Sequence, residues 1–199
     1  QNLSILADEL GLDSERIVIP RQIHGDKVAM ADGSSSLEGV DAVVTQTPGL
    51  CVCVSTADCI PVLLYDPKRG AVAAIHAGWR GTVADIVGHT VAFIQKHCGT
   101  VPNELRAVIG PGIGLQAFEV GDEVYDAFRL AGFPIERMSC RKTKWHIDLW
   151  EANRWLLCNS GVEQIQLADE IIKILIFFAV RISENMNAEN LITYLSAFT

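Results

Sequence analysis

Three short segments of this 199-residue chain gather reactive side chains beside glycine or proline. RQIHGDKV carries His24, VSTADCIPV carries Asp58 and Cys59, and AVAAIHAGWRG carries His76 and Arg80. Each borders an apolar run, the arrangement by which a rigid scaffold presents side chains to a cleft. His24, Cys59 and His76 are a coherent chemical set. Zinc takes imidazole nitrogen and thiolate sulfur at about 2.0–2.3 Å, and a catalytic zinc keeps three protein ligands and an open fourth position. The three residues are spaced too widely for a zinc finger. The same side chains allow a second chemistry, with Cys59 a nucleophile activated by His76 and Asp58 or another carboxylate orienting the imidazole. Both chemistries need the same proximity, so spacing leaves them open. Asp58 as a fourth ligand would instead close a structural zinc site in a non-enzymatic binding domain.

The neighbouring motifs refine the picture. Arg80 stands just before a helical pattern, where a guanidinium and free N–H groups suit phosphate or a substrate carboxylate. The alternative is a solvated pair with Asp85. GPGIG, from Gly110 to Gly114, lacks both the P-loop Lys-Ser/Thr and dinucleotide spacing, and reads as a tight turn lining a cleft. His89 falls off the apolar stripe of its helix, and His97 sits in a last turn favoured by the helix dipole. His146, in KWHID, precedes a helix cap and can face the cleft.

Elements must position these groups. The apolar runs KVAM, DAVVTQ, LCVCVST, PVLLYD and AVAAIH predict strands covered on both faces, separated by turns at DGSSS, TPG, TADC and DPKRG. RIVIP predicts a short strand, and residues 1–12 the tail of a helix ending at Gly11. Val83, Ile86, Val87, Thr90, Val91, Ile94 and Cys98 follow helical spacing over 82–98, with Thr82 and Asp85 as the capping pair and Gly99 as the stop. ELRAVIG and EQIQLAD predict further strands. Helices are expected over 121–131 and from Asp148 through LWEANRWLLCN. The expected architecture is a single-domain α/β (α+β) fold, a mixed-sheet sandwich.

Composition narrows the function classes. A hydrophobic fraction of 49% with 20% charged residues excludes a disordered or collagenous chain. A net charge of −8 without a basic run argues against nucleic acid and anionic membrane as partners. The apolar run IIKILIFFAV contains Lys173 and is shorter than the roughly 20 residues a membrane span needs. Six cysteines without a CxxC pair read as free buried thiols in a reducing, cytoplasmic setting, with Cys51 and Cys53 on one strand face.

RQIHGDKV, DAVVTQTPG, STADCIPVLLYD, AAIHAGWRGT, AVIGPGIG and AFEVGDEV, running in order from Asn2 to Asp169, resemble the laccase-like polyphenol oxidoreductase family, also described as purine nucleoside phosphorylase with adenosine deaminase activity. The resemblance implies a cysteine-hydrolase-like fold and a zinc held by His24, Cys59 and His76. It also implies a small-molecule nucleoside and phosphate as partners, with the oligomeric state open. Catalytic roles then fall to Asp58, Cys59 and Arg80, and substrate contacts to Gln22, Arg80, Phe118 and Glu119. The family has a segment ahead of this chain's start at Gln1, with a strand and substrate-contacting residues, so part of the substrate site is expected outside the chain. Residues 170–199 are atypical, matching the family at Phe177, Phe178 and Arg181.

The family's older description implies copper oxidation of phenols. Five histidines without a His-x-His pair cannot furnish a multicopper cluster, although a single copper competes well for such N/S ligands. Zinc with an open position suits hydrolytic deamination of adenosine, because it lowers the pKa of bound water toward 7. Phosphorolysis of adenosine, inosine or methylthioadenosine needs phosphate held, for which Arg80 is the candidate, and protons managed at the base by Asp58 or Glu119. The expectation is a zinc-dependent purine nucleoside enzyme. The alternatives are a copper-dependent polyphenol oxidase, a cysteine hydrolase using Cys59 and His76, and the binding domain.

Overall fold

The computed structural model describes residues 7–8, 11–32 and 37–168, and the backbone of the strand Leu175–Val180. The strand runs read from the sequence form, with boundaries shifted by a residue or two. They are β1 (Ile17–Val18), β2 (Val28–Met30), β3 (Ala42–Thr45), β4 (Cys51–Thr56), β5 (Ile60–Tyr65), β6 (Val72–Ala77), β7 (Arg106–Ile109) and β11 (Gln164–Leu167). β12 (Leu175–Val180) holds Phe177 and Phe178, whereas Arg181 and most of the expected N-terminal helix lie outside the described residues. Three short strands were not legible: β8 (Glu119–Val120), β9 (Ser139–Arg141) and β10 (Trp145–Ile147). At two or three residues each they are too short to show alternation.

The strands form three sheets among the described residues, in orders β11-β7-β5-β6-β3-β2, β1-β4-β12 and β8-β10-β9. The six-stranded sheet is mixed: β5 runs antiparallel to β6 and β7, while β2–β3 and β7–β11 are parallel. Its side chains alternate between two cores. Ile60, Val62, Leu64, Ala73 and Ile75 join the cluster that meets the helices, whereas Leu63, Val72 and Ala74 pack with Val52 and Val54 of β4. Both faces are covered, which is why these strands read as nearly unbroken apolar runs. The mixed-sheet α/β sandwich stands.

The helices are α1 (Trp79–Val83), α2 (Ile86–Cys98), α3 (Asp122–Leu130) and α4 (Leu149–Asn159). The single helix expected over 82–98 is broken. Thr82 is no cap: it lies inside α1, and its buried hydroxyl meets the Asn153 amide of α4. Asp85 is instead the N-cap of α2, with a left-handed backbone (φ 60°) and a carboxylate that accepts from Gly88 N–H at 3.0 Å. The left-handed residue reverses the chain locally and starts a second helix. Gly99 ends α2 with φ 70°, and Asp148 caps α4 by accepting from Glu151 N–H, both as expected.

All six cysteines are free. Cys51 and Cys53 are buried on one face of β4 with sulfurs 3.4 Å apart, but Cys158 is exposed, so the thiols are not uniformly internal.

Candidate metal centre

The β5–β6 hairpin brings two of the predicted residues together. Pro61 pairs with His76 in the ladder, so Cys59, one residue ahead of β5, faces Gly78, one residue beyond β6. The loop between β1 and β2 supplies the third group, His24. The ligand atoms of His24, Cys59 and His76 all lie within 4.8 Å of one another. Around a tetrahedral ion with bonds of about 2.0–2.3 Å, neighbouring ligand atoms stand roughly 3.3–3.8 Å apart. The donor set therefore fits a metal ion with about an ångström of closure. Asp58 is exposed and stands outside the cluster.

Two glycines make the convergence possible. A β-carbon on Gly78 would stand 3.0 Å from Cys59 Sγ and 3.2 Å from His24 Cδ2. A β-carbon on Gly81 would stand 2.7 Å from the Gly25 carbonyl oxygen, so α1 and the His24 loop touch backbone to backbone.

Behind the ligands lies Asp41, which sequence reasoning missed. It reads as the polar first residue of the run DAVVTQ, with nothing to distinguish it from an ordinary turn carboxylate. Asp41 is fully buried, and its carboxylate accepts from Ile23, His24 and Gly25 N–H and from His76 Nδ1–H at 2.8–3.1 Å. With Nδ1 donating, the lone pair of His76 is on Nε2. Burial lowers the His76 imidazole pKa, outweighing the opposing pull of Asp41, and the nearby His24 adds to the lowering. Burial also pushes the Cys59 thiol up, and the charges of Asp58 and Asp41 push it further. A neutral imidazole is the form that ligates a metal.

The other predicted residues occupy defined places. Arg80 is exposed on α1, its guanidinium 4.4 Å above the Trp79 ring, while Asp85 is engaged with α2. Gln22 directs both ends of its amide to the backbone of Ser55 on β4. Phe118 is half-buried against the helical core. Glu119, on β8, pairs with Lys144 at 2.9 Å, and that ammonium holds its carboxyl below the usual range. The GPGIG turn does border a cavity, of about 380 Å³, lined also by Asp148 and Trp150, and Ile113 N–H ties the turn to the Asp58 carbonyl.

The remaining histidines stay apart from the cluster. His89 is exposed, 3.4 Å from Asp26. His97 stacks on Phe93 in the last turn of α2. His146 is buried on β10 with Nδ1 unpartnered.

Fold and site together define a mixed α/β protein with one His–Cys–His centre at the end of a buried hairpin. The family model for multi-copper polyphenol oxidoreductase laccase matches residues 1–174, and the chain belongs to that family. A purine nucleoside phosphorylase of Bacteroides thetaiotaomicron is 48% identical over 183 residues, covering 84% of this chain and 68% of that protein. Adenosine deaminase RL5, from an unknown prokaryotic organism, is 40% identical over 179 residues, covering 82% of this chain and 67% of its own length. The crystal structure of the Bacillus licheniformis hypothetical protein YfiH superposes with a TM-score of 0.80 at 33% identity, over 84% of this chain and 68% of that one. The chain thus spans about two thirds of the length of these relatives. Among the described residues no helix is long and apolar enough to cross a membrane.

Proposed function

We propose that the chain carries the zinc centre of a purine nucleoside enzyme, acting on adenosine and inosine by phosphorolysis and on adenosine by deamination. The observation that carries this reading is the convergence of His24, Cys59 and His76 within 4.8 Å, with Asp58 outside the cluster. The names of the relatives supply the substrate class. Bound there, zinc supplies Lewis acidity and lowers the pKa of water toward 7. The chain's own residues have the following proposed parts. Asp41 fixes His76 with its Nδ1 proton inward. Arg80 is the group for phosphate, although α1 has only five residues and adds little as a helix terminus. Glu119, on β8 and paired with Lys144, and Asp58, exposed beside Cys59, are the candidates for managing protons at the base, where the departing purine must be stabilised. Gln22 and Phe118 are proposed as substrate contacts, Gln22 on releasing its bonds to Ser55.

The other chemistries find less support. All five histidines are described and only two converge, so a multicopper cluster lacks ligands. Cys59, His76 and Asp41 do line up as nucleophile, base and orienting carboxylate. Yet a dyad leaves His24, whose ligand atom lies within the same 4.8 Å, without a role.

The test pairs metal analysis of protein purified without added metal with a chromatographic assay on adenosine and inosine, with and without phosphate. Zinc near one per chain and free purine base from either nucleoside are expected. Arg80→Ala should raise the phosphate requirement and spare deamination. No turnover of either nucleoside by zinc-loaded protein with intact ends would overturn the reading.

A further inference from the structure

We propose that Asp41 is the positioning residue of the centre, one buried carboxylate that sets the geometry of both histidine ligands. The inference rests on the metal-site reading above. His24 and His76 come from separate parts of the fold, the β1–β2 loop and the end of β6. Asp41 Oδ1 takes both the His24 backbone N–H, at 2.9 Å, and His76 Nδ1–H, at 2.8 Å. Oδ2 takes Ile23 N–H at 3.1 Å and Gly25 N–H at 2.9 Å. The main chain repeats the link, because His76 N–H donates to the Asp41 carbonyl at 2.8 Å.

The backbone of His24 shows why this matters. Its φ is 62°, a left-handed conformation that a residue with a β-carbon adopts only where its surroundings over-determine it. Three consecutive N–H groups converging on one carboxylate are such a surrounding. The same carboxylate fixes the tautomer of His76 and leaves Nε2 to the ion, as outer-shell carboxylates do in metalloproteins. An asparagine there has a single acceptor oxygen and turns its N–H₂ group toward two of the four donors. With that oxygen at the Oδ1 position the Ile23 and Gly25 N–H groups lose their acceptor and the left-handed His24 turn is released; with the amide reversed, His24 N–H and His76 Nδ1–H lose theirs.

Zn²⁺ affinity, measured by competition with a chromogenic chelator, is compared among the full chain, Asp41→Asn and Cys59→Ala. Asp41→Asn is expected to bind Zn²⁺ about 10–100-fold more weakly, and its Co²⁺ form to show an altered thiolate-to-metal absorption band. Unchanged affinity in Asp41→Asn, with Zn²⁺ binding lost in Cys59→Ala, overturns the role of Asp41 and leaves the metal centre standing. Unchanged affinity in Cys59→Ala overturns the metal-site reading and the Asp41 role with it. Should Asp41→Asn fail to fold, histidine ring ¹⁵N shifts and amide exchange of the chelator-treated wild-type chain decide. An Nδ1–H tautomer at His76 with slowly exchanging Ile23, His24 and Gly25 amides supports the role. An Nε2–H tautomer with rapidly exchanging amides overturns it.

Discussion

Gly78 and Cys59 face each other across the open end of the β5–β6 hairpin, so closely that a β-carbon on residue 78 would stand 3.0 Å from the thiol sulfur. The same β-carbon would press on His24. Gly78→Ala is therefore expected to push two ligands off position and weaken Zn²⁺ binding about 10–100-fold, the range for disturbed outer shells. The fold should survive, because the hairpin ladder is untouched. Chelator competition alongside thermal melting checks both halves. Unaltered affinity would show that the cluster has more room than its geometry indicates.

Metal removal should register in stability. An ion that binds only the folded chain stabilises it by about 2.7 kcal/mol at a hundred times its Kd. For a chain of this size that is a rise of roughly 5–11 °C in Tm. Chelation should reverse the rise in wild type, and Cys59→Ser should show none. A Tm indifferent to Zn²⁺ in the wild type would count against binding.

Far from the centre, Asp66 predicts an acid limb of stability. Burial pushes its carboxyl up, but hydrogen bonds from Thr100, the Arg69 and Lys68 N–H groups and the Arg69 side chain outweigh burial and hold it below the usual range. A lowered folded-state pKa gives stability that is complete above the unfolded value, about 3.9, and is lost as pH falls through the folded one. Asp66→Asn should cost roughly 1–3 kcal/mol at neutral pH. Urea unfolding at pH steps down to strong acid should find the gap closing. A gap constant with pH would refute the assignment.

Asp85 joins two helices, and its side chain separates two effects. Asp85→Ala removes the cap on Gly88 N–H while keeping a β-carbon in the left-handed backbone, and should cost about 1 kcal/mol. Asp85→Asn keeps a capping oxygen and tolerates that backbone, so it should be nearly neutral. Equal losses in the two variants by urea unfolding would mean that charge, rather than the cap, is what matters.

Much of this was legible in the residues, for physical reasons. Strands buried on both faces leave unbroken apolar runs, so the six-stranded sheet could be read almost whole. His24, Cys59 and His76 stood out as imidazole and thiol beside glycine or proline turns, but spacing left metal ligation and cysteine catalysis open, and the family resemblance supplied the ligand set. Asp41 did not, because its role is to bridge residues distant in sequence, and a carboxylate before a strand looks like a surface turn. The break at Asp85 was hidden by its own chemistry: Thr82 and Asp85 have the spacing of a capping pair, and only the left-handed backbone reveals that the cap belongs to the next helix. Glu119 and His146 sit on strands too short for any pattern to show.

The His24 loop is moored at two points. Gln22 binds Ser55 of the β1-β4-β12 sheet, using its side-chain amide as a surrogate peptide, while Asp41 at the edge of β3 grips the next three residues from the six-stranded one. The two moorings are unequal, one side-chain amide on the first sheet against three main-chain N–H groups on the second. Because the grip on His24 itself comes from the sheet that also carries His76, a slip of one sheet over the other would be taken up at Gln22, leaving the spacing of the two imidazoles intact. Gln22 thus serves as a tether with slack in it, and Asp41 as the fixed anchor that keeps the centre in register with its own sheet.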